Sequence, residues 1–331
     1  MGRRRTDAVG WAEMSTVARA TLGRRADGRV VGAFAIVYVI WGSTYLFIRL
    51  ASETIPPLLM AGGRFLVAGA VMLAITRRMG GAGGDPVGPR QWRAAAVTGG
   101  LLLLGGNGGV SYGELFVATG VVALLVATVP LFIALFGVLF LGQKLRRLVM
   151  AGVAVGLLGT AVLLHPGGGA GDLGHMLLVL VSPLCWALGS LYATRGALPS
   201  RLLVASGMEM LCGGALLVGA GLATGELAAL HVDRISVVSA LSVLYLIVFG
   251  SLVAFSAYVW LLSKVATTAV ATYAYVNPLV AVILGWAFLG EQISGQTLLA
   301  AALIIVAVAL ILSRPPASPP TDPDLPVGEV V

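Results

Sequence analysis

Two ionisable residues, Arg64 and Glu209, stand inside stretches that are otherwise apolar. Each lies about eight residues into its stretch, which is mid-membrane depth if the stretch crosses a bilayer. A charge at that depth costs about 2.5 to 3.5 kcal/mol, so such residues usually face a cavity or a partner. Two interpretations follow. Either Arg64 and Glu209 form a structural ion pair, or Arg64 binds an anionic group of a substrate while Glu209 takes up and releases a proton.

Two tryptophans, Trp41 and Trp186, lie about midway along apolar stretches of membrane-spanning length. Large rings at that depth can form the wall of a cavity for an apolar substrate, or stack on an aromatic or cationic one. The alternative is that they only fill the core. Ser43, Thr44 and Tyr45 follow within a turn of Trp41 and are grouped with it as candidate substrate-binding residues.

A third polar group lies in the segment GNGGVSYGE, where Asn107, Ser111, Tyr112 and Glu114 give polar groups at near-helical spacing, and Asn107, Tyr112 and Glu114 are the candidates for substrate binding. We expect these side chains to contact the substrate. Glu114 is close to the end of its helix, so the alternative for this residue is a carboxylate solvated by water.

A fourth group comprises Tyr275 and Asn277, with Tyr258 in the preceding apolar stretch as a further candidate. Asn277 comes directly before Pro278. Its side chain either binds substrate or satisfies the backbone groups that the proline leaves unpaired.

The composition sets the class of protein. Hydrophobic residues make up 58% of the 331 residues and charged residues only 11%, so a water-soluble globule is excluded. Cys185 and Cys212 lie in apolar runs and the three histidines lack ligand spacing, which predicts no disulfide, metal or cofactor. The net charge of +7 is spread over helix ends and does not indicate nucleic acid.

The apolar runs predict an all-α integral membrane protein with ten transmembrane helices, since about 20 apolar residues cross the hydrocarbon core. The expected spans are 31–50, 57–76, 94–113, 119–141, 148–165, 174–193, 202–222, 237–261, 268–289 and 295–313. The fifth and tenth are almost purely aliphatic and are expected at the periphery. A cavity is expected mainly among the first, third, sixth, eighth and ninth, with help from the second, fourth and seventh. Small residues at small-xxx-small spacing indicate close helix packing.

The stretch Ala118 to Lys144 recurs as Ala266 to Gln292, which indicates an internal duplication. Each copy carries a proline near its middle, Pro130 or Pro278, and a helix kink is expected at both. Five helices per half is an odd number, so the second half is inverted relative to the first. Inverted repeats are typical of transporters that open alternately to either side.

Basic residues set the expected orientation. With the N-terminus in the cytoplasm, all Lys and Arg residues are cytoplasmic except Arg49, Arg64 and Arg234. We expect a multi-pass protein of the bacterial cytoplasmic (inner) membrane with both termini cytoplasmic. The expected divisions are a basic tail at 1–29, a first repeat at 30–166, a second repeat at 172–313 and a disordered Pro-rich tail at 314–331.

Several motifs together resemble the drug/metabolite transporter superfamily, with two EamA-type repeats and most similarity to its YedA-like exporters. They are IWGSTYLFIRLA from Ile40, PPLLMAGGRFLVAGA from Pro56, GNGGVSYGE ending at Glu114, VATVPLF from Val126, MEML from Met208, FGS from Phe249 and ATYAYVNPLVAV from Ala271. The resemblance covers nearly everything from Ile40 to Leu312. It implies a ten-helix carrier that exports small metabolites, amino acids or toxic compounds, either coupled to protons or facilitated.

The function expected from residues and resemblance is secondary active export of a small molecule by alternating access, with protons as the candidate coupling ion. Uptake or exchange of small metabolites is the alternative. ATP is not expected as the energy source because there is no Walker motif. An intramembrane enzyme is not expected either, because all three histidines lie at helix ends or in loops and no aspartate lies within a span.

Overall fold

The computed structural model describes residues 28–78, 80, 87–142, 145, 147–165, 172–262, 264–265 and 270–312. Within them, ten apolar helices account for most of the chain. The bounds are α1 Gly28–Ala51, α2 Pro57–Arg78, α3 Pro89–Gly113, α4 Thr119–Phe140, α5 Arg147–Leu164, α6 Leu173–Ala193, α7 Leu202–Ala223, α8 Val237–Leu262, α9 Tyr273–Leu289 and α10 Gly295–Leu312. The all-α membrane prediction is confirmed.

Helix α3 begins at Pro89, five residues before the expected start at 94, and the other helix bounds agree with the expected spans within a few residues, except at α9. That helix has 17 residues and begins at Tyr273, whereas the sequence predicted a start at 268. Most of both tails, and parts of the Gly-rich connections, lie outside the described residues.

Local chemistry explains several helix ends. Asp172 and Ser236 precede α6 and α8, and their side chains accept hydrogen bonds from backbone N–H groups of the first turn. Gly142 and Gly290 follow α4 and α9 with left-handed φ of 61° and 67°, which glycine adopts without steric cost. Both glycines belong to the Phe-Leu-Gly that the duplicated stretches share, so the residue that ends the helix is duplicated as well.

Close packing of α2 and α7 shows how the two halves are related. A Cβ on Gly62 would lie 2.9 Å from the carbonyl oxygen of Gly214, and a Cβ on Gly69 would lie 2.9 Å from that of Gly207. A shift of 145 positions aligns the first helices of the two halves, with Gly62 on Gly207 and Gly69 on Gly214. Gly62 therefore contacts the counterpart of Gly69, and Gly69 contacts the counterpart of Gly62. Such reciprocity requires antiparallel helices about a pseudo-twofold axis. The two five-helix repeats are therefore inverted.

Two π-helical segments occur at corresponding places, Gly100–Gly108 in α3 and Leu246–Val253 in α8. The shift of 145 positions that aligns Trp41 with Trp186 also aligns Gly105 with Gly250. Wide turns of this kind are rare and often occur at functional sites. The sequence does not predict these π-helical turns, because the two segments differ in composition: one is glycine-rich and the other is not.

The two duplicated prolines have different surroundings. In α4 the helix breaks at Ala127 and Thr128, and Pro130 is the second residue of a new segment, Val129–Leu141. Pro278 instead lies inside α9. The expected kink in a continuous helix is therefore a break at Pro130, where the missing N–H is harmless because first-turn donors have no partner within the helix.

The aliphatic helices α5 and α10 pack on each other through small residues. Gly152 and Gly156 lie against Ala307, and Gly159 lies against Leu303 and Ile304. Large apolar side chains of the pair, including those in the run at 157–158 and 298–299, point outward and are about half exposed. This is the peripheral arrangement expected of lipid-facing helices.

Candidate functional site

Arg64 is buried in α2, with 5% of its surface exposed. Its Nη2 donates a hydrogen bond of 2.5 Å to Oδ1 of Asn107, which belongs to the π-helical segment of α3. Its guanidinium carbon lies 4.4 Å from the ring centroid of Phe65. In the part of the chain that the structure describes, Nε has no hydrogen-bond partner. The structure thus brings together two of the predicted site residues, Arg64 and Asn107.

The ion pair between Arg64 and Glu209 is contradicted, since no salt bridge joins them among the described residues. The α2–α7 contact explains why. Gly62 and Gly69 face α7, and Arg64 follows Gly62 by two residues, which is about 200° around a helix. Glu209 follows Gly207 by the same step. Both side chains therefore point away from the contact, on opposite sides of it.

Glu209 lies on the side of α7 that packs against α3. Its backbone carbonyl contacts Gly99, while its half-buried side chain has no hydrogen-bond partner within the described ranges. The predicted proton-binding role of Glu209 remains a prediction.

An aromatic cluster surrounds Trp41. The indole Nε1 donates to the backbone carbonyl of Gly250 at 3.1 Å, in the π-helical segment of α8. The ring centroids of Tyr258 and Tyr273 lie 5.2 and 5.0 Å from that of Trp41. Helices α1, α8 and α9 therefore meet at one group of rings.

Trp186 occupies the equivalent position in the other repeat. A Cβ on Gly106 would lie 2.8 Å from Cε3 of its indole. Trp41 thus contacts the π-helical segment of α8, and Trp186 contacts that of α3. Neither tryptophan is at a helix end, so an interfacial belt is not the explanation of this pair.

The polar residues after Trp41 are held locally. Ser43 Oγ donates to the carbonyl of Ile40 at 2.9 Å and bonds the hydroxyl of Tyr245 at 2.8 Å. Thr44 donates to the carbonyl of Trp41 at 2.6 Å. Tyr45 packs against the apolar core cluster around α4. Ser43 and Tyr45 thus hold α1 against neighbouring helices, whereas the Thr44 hydroxyl bonds within α1.

In α9 the structure brings a different tyrosine to the aromatic cluster from the one that was predicted. Tyr275 donates to the carbonyl of Val308 at 3.2 Å and so faces α10. Tyr273 contacts Trp41 instead, and Asn277, one turn further on, shares its helical face. Asn277 is 8% exposed, and its Oδ1 has no partner among the residues described. The four-residue spacing of Tyr273 and Asn277 was the available signal.

Tyr112 and Glu114 do not join Asn107. Tyr112 is 38% exposed and its ring lies 5.3 Å from Phe116, which stacks on His175 at the protein surface. Glu114 is fully buried and accepts a 2.8 Å hydrogen bond from the hydroxyl of Thr119. The alternative of a solvated carboxylate is therefore wrong for Glu114.

The family model of the EamA-like transporter family matches residues 29–165 and again residues 173–313. The chain belongs to the EamA-like transporter family. The two matched segments correspond to α1–α5 and α6–α10, so each five-helix half is one family unit. The protein is therefore a transporter in a multi-pass membrane fold and not an enzyme.

Relatives extend over most of the chain. It is 42% identical over 283 residues to the "Uncharacterized inner membrane transporter YedA" of Escherichia coli K12, covering 85% of this chain and 89% of the relative. It is 27% identical to the "Probable amino-acid metabolite efflux pump" of Salmonella typhimurium LT2, covering 82% and 90%. A solved crystal structure with 20% identity superposes with a TM-score of 0.56 over 86% of this chain and 96% of that one, which supports the fold alone.

Proposed function

We propose that this member of the family is a secondary active exporter of small organic metabolites, with Arg64 as the group that binds an anionic part of the substrate. The observation that carries the proposal is a buried guanidinium which, within the described ranges, has one amide partner, no carboxylate partner and a free Nε. A cation in that position is costly unless something neutralises it. An anionic substrate group would do so.

The aromatic cluster supports a second contact for the substrate. Trp41, Tyr258 and Tyr273 offer ring surface, and Asn277 offers an unpaired amide oxygen on the same face of α9. A substrate with a carboxylate at one end and an apolar, aromatic or ammonium group at the other would complement both sets. Because one relative is named for amino-acid metabolite efflux, carboxylate-containing amino-acid metabolites are the first class to test.

We further propose the inner membrane as the location, because the relative with 42% identity is named for it. The proposed orientation places both termini in the cytoplasm, with repeats at 30–166 and 172–313 between a basic tail at 1–29 and a tail at 314–331. Protons remain the candidate coupling ion, with Glu209 as the candidate carrier.

The test compares extracellular metabolites of cells that express wild type, Arg64→Ala or Arg234→Ala at equal membrane abundance. Arg234 lies in a loop after α7, so Arg234→Ala is the matched control in which one arginine is lost outside the membrane-spanning helices. We expect a carboxylate-containing compound to accumulate outside with wild type and Arg234→Ala, and at least tenfold less with Arg64→Ala, since a charged hydrogen bond contributes about 1.5 to 3 kcal/mol.

An equal accumulation with Arg64→Ala would contradict the assigned role of Arg64. Accumulation inside the cell that depends on wild type would favour the alternative, uptake or exchange. A companion variant, Glu209→Gln, is expected to retain substrate exchange and to lose transport driven by a proton gradient. Unchanged coupling in that variant would remove Glu209 as the proton carrier.

A further inference from the structure

Several polar contacts lie at one end of the bundle, where α1, α3 and α9 finish and α2, α4 and α10 begin. We call this the outer end, because the proposed orientation places it outside the cytoplasm. Thr119, the first residue of α4, takes part in two of these contacts, one with each of two glutamates. The carboxylate of Glu291, just after α9, accepts from the backbone N–H of Thr119 at 2.7 Å and of Gly120 at 3.3 Å. The carboxyl of Glu114 accepts from the Thr119 hydroxyl at 2.8 Å.

The two glutamates have unequal surroundings. Glu291 lies at the N-terminus of α4, where two N–H groups and the helix dipole favour a negative charge. Glu114 is fully buried, and within the described residues its Oε1 has no hydrogen-bond partner. A buried ionised oxygen with no partner is costly, whereas a neutral carboxyl in that position is tolerated. Glu291 is therefore assigned as the ionised member and Glu114 as the neutral one.

The other groups that face Glu114 do not neutralise its carboxyl. Arg49 of α1 donates to the backbone carbonyl of Glu114 and not to its side chain. Tyr45 of α1 and Glu291 both interact with it electrostatically. Burial is the largest cause that raises the pKa of Glu114 well above the ordinary carboxyl range, Glu291 raises it further, and the Thr119 hydrogen bond and Arg49 lower it.

The same contacts join the two halves. Glu291 belongs to the second repeat, and Thr119 and Glu114 belong to the first. Glu226 of the second repeat likewise accepts from the N–H groups of Leu58 and Leu59 at the start of α2, at 2.9 to 3.2 Å. A cleft of about 20 Å³ beside Glu291 has room for a water molecule. Opening the outer end would require these bonds between repeats to break.

We propose that Glu114 is a proton-binding site and that the proton bound there keeps the outer end closed. Loss of the proton places a second negative charge beside Glu291, on the same threonine. The two carboxylates repel each other, and the ionised Glu114 is stabilised by hydration. Both effects then separate the end of α9 from the start of α4. This inference rests on the proposed transport function. It states what causes the outer end to open, and a transporter that works by alternating access must open at each end in turn.

The direction of the pH effect follows from linkage. Glu114 holds its proton more tightly in the closed form than when hydrated, so protonation stabilises the closed form. That stabilisation is fully present below the ordinary carboxyl pKa and is lost as pH rises through the raised pKa. Higher external pH therefore favours opening, by about tenfold per pH unit while one proton is being released.

The first measurement is an infrared titration of purified protein in liposomes without substrate. We expect a protonated-carboxyl band that disappears only above the ordinary carboxyl range. The amplitude of this band should fall in Glu114→Gln by the share of one carboxyl, and should be unchanged in the exposed control Glu53→Gln. In Glu291→Gln the same band should titrate at lower pH, because the neighbouring charge is gone. A band whose amplitude is the same in wild type and Glu114→Gln would overturn the assignment.

The second measurement follows access to the outer end with Val121→Cys, a buried position in the cleft beside Glu291, with both native cysteines replaced by alanine. Its labelling rate by a membrane-impermeant thiol reagent is divided by that of the exposed Val232→Cys, which corrects for thiol chemistry. The ratio should rise with pH, and should stay low at every pH when Glu114→Gln is added. His175→Gln is the control for the histidine at this end, whose ring stacks on Phe116.

An equal rise in Glu114→Gln would overturn the proposal. Both measurements are made without substrate, so they are independent of the proposed function. If Glu114 titrates above the ordinary carboxyl range as expected, but no transported compound is found, the export proposal alone would be contradicted. Export that requires Arg64, together with no titration of Glu114, would contradict this inference alone.

Discussion

The aromatic cluster of α1, α8 and α9 shows how one helical step separates a binding side chain from a structural one. Tyr273 faces Trp41, while Tyr275, about 200° further round α9, faces α10. The two tyrosines look equivalent in the sequence YAYVN. They differ only in what each one contacts: Tyr273 contacts α1, and Tyr275 contacts α10.

We predict that Tyr273→Leu raises the KM for the exported compound by about 2- to 12-fold, the equivalent of about 0.5 to 1.5 kcal/mol for a lost aromatic contact. Tyr275→Leu is the matched variant and should lower the unfolding temperature without changing KM, because its hydroxyl bonds Val308 of α10. Transport kinetics and thermal unfolding in detergent measure the two effects. The same rise of KM in both variants would mean that the faces of α9 are assigned wrongly.

The site residues predicted from sequence divide by the same principle. Arg64, Asn107, Trp41 and Asn277 were found because a polar or very large side chain in an apolar span is unusual wherever it points. The pairing of Arg64 with Asn107 was not predicted, because pairing depends on helix rotation. The glycine pairs of α2 and α7 fix that rotation, and they identify the contacting faces only once the helices are known to be adjacent.

At the scale of helices, the contact of α2 with α7 depends on residues without side chains. A Cβ on Gly62 would lie 2.6 Å from Cγ2 of Val218 and 2.8 Å from its backbone nitrogen, whereas a Cβ on Gly63 would meet nothing within 4 Å. Adjacent glycines in GGR thus serve different purposes. One sets the distance between the repeats, and the other only faces open space.

Gly62→Ala should therefore destabilise the protein by about 1 to 3 kcal/mol, the usual cost of overpacking a close contact. Gly63→Ala should be neutral or slightly stabilising, since alanine is the better helix former. Thermal unfolding of the purified variants measures the difference. Equal melting temperatures for the two variants would contradict the assigned α2–α7 contact.

Sequence predicted the helices well because a bilayer imposes both length and apolarity on every span. It did not predict where the helices depart from α geometry. The π-helical turn around Gly250 and the break before Pro130 depend on what packs beside them, such as the indole of Trp41 that bonds the Gly250 carbonyl. Those packing partners come from distant parts of the chain, so no local pattern encodes them.

At the scale of the whole molecule, several of the described polar bonds at the outer end join the second repeat to the first. Besides those of Glu226 and Glu291, the N–H of Ser236 donates to Oγ1 of Thr54 at 3.2 Å, and Ser239 donates to the carbonyl of Leu50 at 2.8 Å. The sequence predicted the inverted repeat that makes such contacts possible. It did not predict that these contacts lie at the outer end. Glu226 and Glu291, which make several of them, lie in loops or near helix ends, where the apolar pattern carries no information.

If transport requires this end to open, a covalent bond across it should stop transport. We predict that oxidation of Thr54→Cys with Ser236→Cys, with Cys185 and Cys212 replaced by alanine, abolishes net transport, and that reductant restores it. The matched pair is Ser294→Cys with Thr297→Cys, whose native hydroxyls lie 2.9 Å apart within the second repeat. Its disulfide should leave transport intact, because it crosses no boundary between repeats. Undiminished transport after complete oxidation of the first pair would show that the two halves need not separate there.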